Sequence, residues 1–157
     1  LFRLAKTYYT IRDIEQAKVW VEKTLFADPQ NIQAIKMLGD IKSKEGKLLE
    51  SITLYNKAIA INPDYDKAYY SLGVAYKNKG EHDKAILAMN SAININAEYT
   101  KAYETLGVIY QTIENYDLAI KNYQRGLDIS KKSYKIYYRL AAVYNYKPEK
   151  QVKNDDE

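Results

Sequence analysis

The sequence predicts an all-α solenoid of antiparallel helix pairs, and three observations lead there. Leucine recurs every 34 residues, at Leu4, Leu38, Leu72, Leu106 and Leu140, each followed by a small residue (Ala5, Gly39, Gly73, Gly107, Ala141). A fixed period of this length marks stacked supersecondary units, none of which buries its apolar face alone. Within a unit, apolar residues follow helical spacing twice: Ala68, Leu72, Ala75 and Tyr76, then Ala85, Ile86, Met89, Ala92 and Ile93, with a break at Asn78, Lys79 and Gly80. No stretch alternates with period two for long enough to predict a strand.

The elements follow in order. The first unit, 1–31, opens at Leu1 inside a helical pattern, and the expectation is that the chain is a piece of something longer; it keeps Leu4, Tyr8, Ala17 and Pro29. Unit 32–65 carries Ile35, Leu38, Gly39, Gly46, Tyr55, Ala58 and Pro63. Its second helix ends at Asn62, Pro63 and Asp64, because proline cannot continue a helix and pushes the preceding residue out of the α region. Lys42 stands where Tyr8, Tyr76, Tyr110 and Tyr144 stand, and Ser51 replaces the alanine of Ala17, Ala85 and Ala119. This unit is therefore expected to pack less well at its first helix. Unit 66–99 is the most regular, and unit 100–133 departs at Glu114, in the place of a turn glycine, and at Gly126, in the place of a late alanine. The last unit, 134–146, supplies one helix before Pro148, with tyrosines and valine expected on its open side. Residues 147–157 (KPEKQVKNDDE) are expected to be a polar tail or a linker.

Small residues midway along the first helix and early in the second let the two cross closely, since ridges need shallow grooves. Large residues such as Tyr76 and Met89 are expected to fill the space between one pair and the next. The 17 tyrosines suit such packing, because the ring is apolar while the hydroxyl still seeks a partner.

These units resemble the tetratricopeptide repeat, whose pattern runs Trp-x2-Leu-Gly-x2-Tyr and then Ala, Phe, Ala and Pro. Tyr69, Leu72, Gly73, Tyr76, Gly80, Ala85, Met89 and Ala92 carry the likeness in 66–99, and Tyr103, Leu106, Gly107, Tyr110, Ala119 and Tyr123 carry it in 100–133. It covers almost the whole chain. The resemblance implies a right-handed superhelix and a protein-interaction scaffold, not an enzyme. It also implies that the first helices line a concave face that holds a peptide or partner protein.

On that implication, the inward-facing positions carry Arg3, Lys6, Lys36, Lys44, Lys67, Lys77, Lys101, Lys135 and Arg139, against two acids, Asp40 and Glu104. That face has a net charge of +7, while the remaining 15 basic and 18 acidic residues leave the body at −3. Concave walls focus such a field and attract an acidic partner. The candidate partner-binding residues are Lys36, Lys67, Tyr70, Lys77, Lys101, Lys135, Tyr138 and Arg139, with Tyr9 beside them. Lys67, Lys101 and Lys135 share one repeat position and are expected to form a ladder. The competing reading is of solvated lysines in a lysine-rich chain.

Two known groove types do not match. The two-carboxylate clamp for chaperone C-termini wants Asn where Asp40 and Ser71 stand and Arg where Thr105 stands, and Asp40 would repel a carboxylate. The asparagine ladder of the O-linked N-acetylglucosamine transferase is replaced by Met37, Ser71, Thr105 and Arg139.

Other chemistry finds little support. Cysteine is absent and His82 is the only histidine, so cysteine nucleophiles and thiolate or multi-histidine metal sites are excluded. No cofactor is expected. Gly39 to Lys47 (GDIKSKEGK) fails as a phosphate loop: six residues separate its glycines, and Leu48 stands where Ser or Thr should follow. No apolar run approaches the ~20 residues of a membrane span. A net charge of +4 is small for a nucleic-acid binder, and nucleic acid is not the expected partner. Freedom from cysteine fits a reducing compartment, and a cytoplasmic location is expected. Two further readings stay open: the non-catalytic repeat region of a larger enzyme such as a glycosyltransferase, and RNA binding in the basic groove.

Overall fold

The computed structural model describes residues 1–146, and the expected polar tail, 147–157, lies outside them. The described residues form nine helices and no strand: α1 (Phe2–Thr10), α2 (Ile14–Ala27), α3 (Ile32–Lys44), α4 (Leu48–Ile61), α5 (Asp66–Lys79), α6 (His82–Ile95), α7 (Thr100–Thr112), α8 (Tyr116–Ile129) and α9 (Tyr134–Tyr146). Each helix packs most extensively on its neighbours in sequence. The first helices α3, α5 and α7 also touch one another in succession, so they line a shared face.

Pairs close where the small residues lie. A Cβ placed on Gly39 would sit 2.6 Å from the Tyr55 ring, one on Gly73 2.8 Å from the Met89 terminal methyl, and one on Gly107 2.3 Å from the Tyr123 ring. Glycine in the first helix thus makes room for a large side chain of the second. In the first pair the same site is Ala5, and its partner shrinks to Val21; both are fully buried in one cluster with Ala17. Met89 has a double role that the sequence reading gave only half of: it fills the crossing at Gly73 and packs with Ala102, Leu106 and Ile109 of the next pair.

The turn inside each pair shows the same recurrence. Gly46 and Gly80 have φ of 78° and 83°, and Arg12 and Glu114, one period away on either side, hold φ of 66° and 60°. The turn demands a left-handed residue in all four pairs, and glycine supplies it in two. Asp13, Asn31 and Asn115 cap the helices that follow them, accepting from the amides of Gln16, Ala34 and Leu118 at 3.0, 3.0 and 3.2 Å.

Unit 32–65 accommodates its two unusual residues by polar pairing. The Lys42 ammonium reaches Glu50 at 2.9 Å and Glu45 at 3.9 Å, and the buried Ser51 hydroxyl donates to the Leu48 carbonyl at 2.8 Å. At the ends, Leu4 is exposed because no described helix precedes α1. On α9 the open side carries tyrosines as expected, but Val143 does not join them. It is fully buried with Ala119, Ile120, Tyr123 and Ile136, because α9 turns that face onto α8.

Candidate functional site: a basic, tyrosine-walled groove

The shared face of the first helices encloses a hollow of about 480 Å³. Its wall includes Lys36, Asp40 and Lys44 of α3, Lys67, Tyr70 and Ser71 of α5, and Lys101 of α7; Tyr9 of α1 joins them. Helical geometry explains the set, since residues three and four apart share a face. The lining carries four lysines and one aspartate.

The lysines are not equivalent. Lys36 donates to Asp40 at 2.7 Å, and Lys44 lies over the Tyr9 ring, 4.1 Å from its centre. Lys67 and Lys101 are exposed and have no ion pair among the described residues, so their ammonium groups are open to a ligand. Asp40 is the acceptor at the floor. Besides Lys36 it takes the Tyr55 hydroxyl at 3.0 Å and the Ser71 hydroxyl at 3.4 Å. Tyr55 belongs to α4, behind the groove, and its ring reaches the floor by passing the bare Cα of Gly39.

Tyrosines form the apolar part of the wall. Tyr70 and Tyr99 stack with ring centres 5.0 Å apart, tilted by 35°. Burial, with Tyr70 and Asp66 next in effect, raises the Tyr99 pKa. Burial also raises Tyr55, with Asp40 adding to it, and pushes Tyr9 up to about 12 with the same aspartate as second cause. These hydroxyls stay neutral at physiological pH, and that of Tyr55 donates to Asp40.

Of the eight residues expected to bind a partner, the hollow gathers Lys36, Lys67, Tyr70 and Lys101. Lys77 lies further along α5, outside the lining. Lys135, Tyr138 and Arg139 stand on α9, also outside it. There Glu104 takes Lys135 at 2.7 Å and Arg139 at 3.2 Å, so both cations are engaged within the chain and this end keeps one net positive charge, while Tyr138 is 78% exposed. Arg3 and Lys6 line a separate depression with Thr7, Thr10 and Ile11. The sequence reading missed Tyr55 and Tyr99 as parts of the wall. A signal for Tyr99 was present: Tyr65 stands one period before it, at the foot of the preceding first helix.

The repeating hairpins and their shared face define a helical repeat protein, and comparisons with known proteins agree. The TPR repeat family matches residues 39–80, and the tetratricopeptide repeat protein 21 C-terminal ARM domain matches 60–154. The chain belongs to the tetratricopeptide repeat family, whose members generally act as protein-interaction scaffolds. No curated protein sequence matches it. Among solved structures, MamA is similar over 92% of this chain and 84% of its own, at 28% identity and a TM-score of 0.80. The first TPR of Spaghetti (RPAP3), solved with the HSP90 peptide SRMEEVD, is similar over 76% of this chain and 94% of its own, at 25% identity and a TM-score of 0.71. A chain of the APC/C hetero-tetramer Cut9-Hcn1 superposes with a TM-score of 0.86 at 16% identity, over 90% of this chain and 29% of that one, a likeness of fold alone. Among the described residues no helix is long and apolar enough to cross a membrane.

Proposed function

We propose that the chain is a protein-interaction scaffold whose concave groove holds an acidic segment of a partner protein. The observation that carries this reading is the pairing pattern. Lys67 and Lys101 keep open ammonium groups on one hollow beside Tyr70, whereas Lys36, Lys135 and Arg139 have acidic partners within the chain. A segment with carboxylates about one repeat apart would bridge the two lysines and lay its apolar atoms on Tyr70 and Tyr99. The peptide bound by the similar RPAP3 domain, SRMEEVD, has three acidic side chains. A chaperone-type carboxylate clamp is not the mode proposed here, since Asp40 occupies the floor where an incoming terminal carboxylate would be repelled.

The test is a panel of acidic and charge-neutral peptides titrated against the chain and against Lys67→Glu/Lys101→Glu. The acidic peptides are expected to bind the parent and to lose most of their affinity for the double variant, with melting unchanged. Adding Lys135→Glu is expected to change little, because Glu104 already engages that lysine. Equal binding of acidic peptides to parent and double variant would refute the groove reading.

A further inference from the structure

The hollow is basic at its rims and acidic at its floor. Lys67 and Lys101 are the second residues of α5 and α7, so they stand where the first helices begin. Lys44 ends α3, at the opposite rim. It is exposed, rests over the Tyr9 ring, and has no ion pair among the described residues. Asp40 lies between the rims, four residues before Lys44, and is the one acidic residue of the lining. Its carboxylate is not fully used. An ionised carboxylate offers about four acceptor positions. Oδ1 takes the Tyr55 hydroxyl at 3.0 Å and, more loosely, the Ser71 hydroxyl at 3.4 Å, while Oδ2 takes Lys36 alone. One position on Oδ2 remains, and the side chain, 19% exposed, lines the hollow.

The charge of Asp40 also reaches across the hollow. Burial is the largest cause of the raised pKa of Tyr9, Tyr55, Tyr65 and Tyr99, and Asp40 adds to it at all four. A segment with acids throughout would set a carboxylate against Asp40, where partial burial leaves like charges poorly screened. A lysine or arginine at that point adds a charge-assisted hydrogen bond instead. We infer that the partner segment carries one basic residue, seated against Asp40, between carboxylates held by Lys67 and Lys101 on one side and by Lys44 on the other, an inference that rests on the groove being the binding site. The repeat sets the spacing. Lys67 stands one period after Gln33, which precedes Asp40 by seven residues, an offset of ~10 Å along the helices or about three extended residues. Lys44 is offset from Asp40 by ~6 Å the other way, about two extended residues.

The probes are three synthetic peptides, Glu-Ala-Ala-Xaa-Ala-Glu, capped at both ends, with Xaa lysine, alanine or glutamate, titrated against the isotopically labelled chain. Attraction to the lysines alone would rank the glutamate peptide first, because it is the most negative. Asp40 reverses that order: the lysine peptide is expected to bind about tenfold more tightly than the glutamate peptide, with alanine between them. Asp40→Asn keeps an acceptor for Tyr55 and Ser71 but loses the charge, and should put the glutamate peptide first. A glutamate peptide that binds the parent as tightly as the lysine peptide would overturn the inference and leave the groove as the binding site. So would a ranking that Asp40→Asn leaves unaltered. Failure of all three peptides to bind would remove the groove reading and this inference together.

Discussion

At the residue scale, the recurring glycines let tyrosine side chains cross from the back of the array to its concave face. Tyr55 passes Gly39 to reach Asp40, and Tyr123 passes Gly107 to donate to the Gln111 side chain at 3.1 Å. Alanine is favoured over glycine in a helix by about 1 kcal/mol, but overpacking costs roughly 1–3 kcal/mol. Gly107→Ala meets a rigid ring and should lower stability, by chemical denaturation, by more than Gly73→Ala, which meets the end of a flexible methionine. A Gly107→Ala variant more stable than the parent would contradict this packing. The turn residues give the opposite sign. Glu114 holds a left-handed conformation that costs an L-residue about 1–2 kcal/mol, partly offset by the greater unfolded-state freedom of glycine. Glu114→Gly is therefore expected to stabilise the chain by about 0.5–1 kcal/mol, and Gly80→Ala to destabilise it by a similar amount.

At the scale of elements, the helix pairs and their boundaries were legible in the sequence because the period is strict and each break has a physical cause. Proline and Asx residues mark the ends, and a left-handed turn residue joins the two helices. Pairing of side chains was not legible. Nothing in the spacing of Lys135 and Arg139 says that Glu104, 31 and 35 residues earlier, will take both; that depends on how α7 and α9 lie side by side. The burial of Val143 escaped for a similar reason, since the sequence does not say which face of the last helix turns onto α8. Tyrosine burial gives this scale its own test. Tyr9 titrates near 12 and Tyr55 is also raised, both because burial disfavours the charged ring and Asp40 lies close. Their unfolded value is about 10, so above that pH the unfolded chain releases protons first. Stability is then complete below about pH 10 and falls as pH rises toward 12. Melting temperatures followed from pH 8 to 12 should decline in that upper window. Tyr55→Phe should flatten the decline and also lower stability at neutral pH, because Asp40 loses a donor.

For the whole molecule, the charge arrangement matters more than the total. Of the +7 expected on that face, the hollow holds +3, from Lys36, Lys44, Lys67 and Lys101 against Asp40; Arg3 and Lys6 line a separate depression, Lys77 lies further along α5, and Glu104 offsets one of the two cations on α9. The fold could be read from repetition, and the basic face from the position of each lysine within the period. The location of the open charge needed three dimensions. Binding that rests on two exposed lysines should weaken as salt rises, with a Debye length near 10 Å at 0.1 M. The central claim is met most directly by mapping amide shifts of the labelled chain as an acidic peptide is added at low salt. The account predicts that the largest shifts fall on Lys67, Tyr70, Ser71, Tyr99 and Lys101 and fade as salt is added. Shifts confined to the outer faces of α2, α4, α6 and α8 would contradict it.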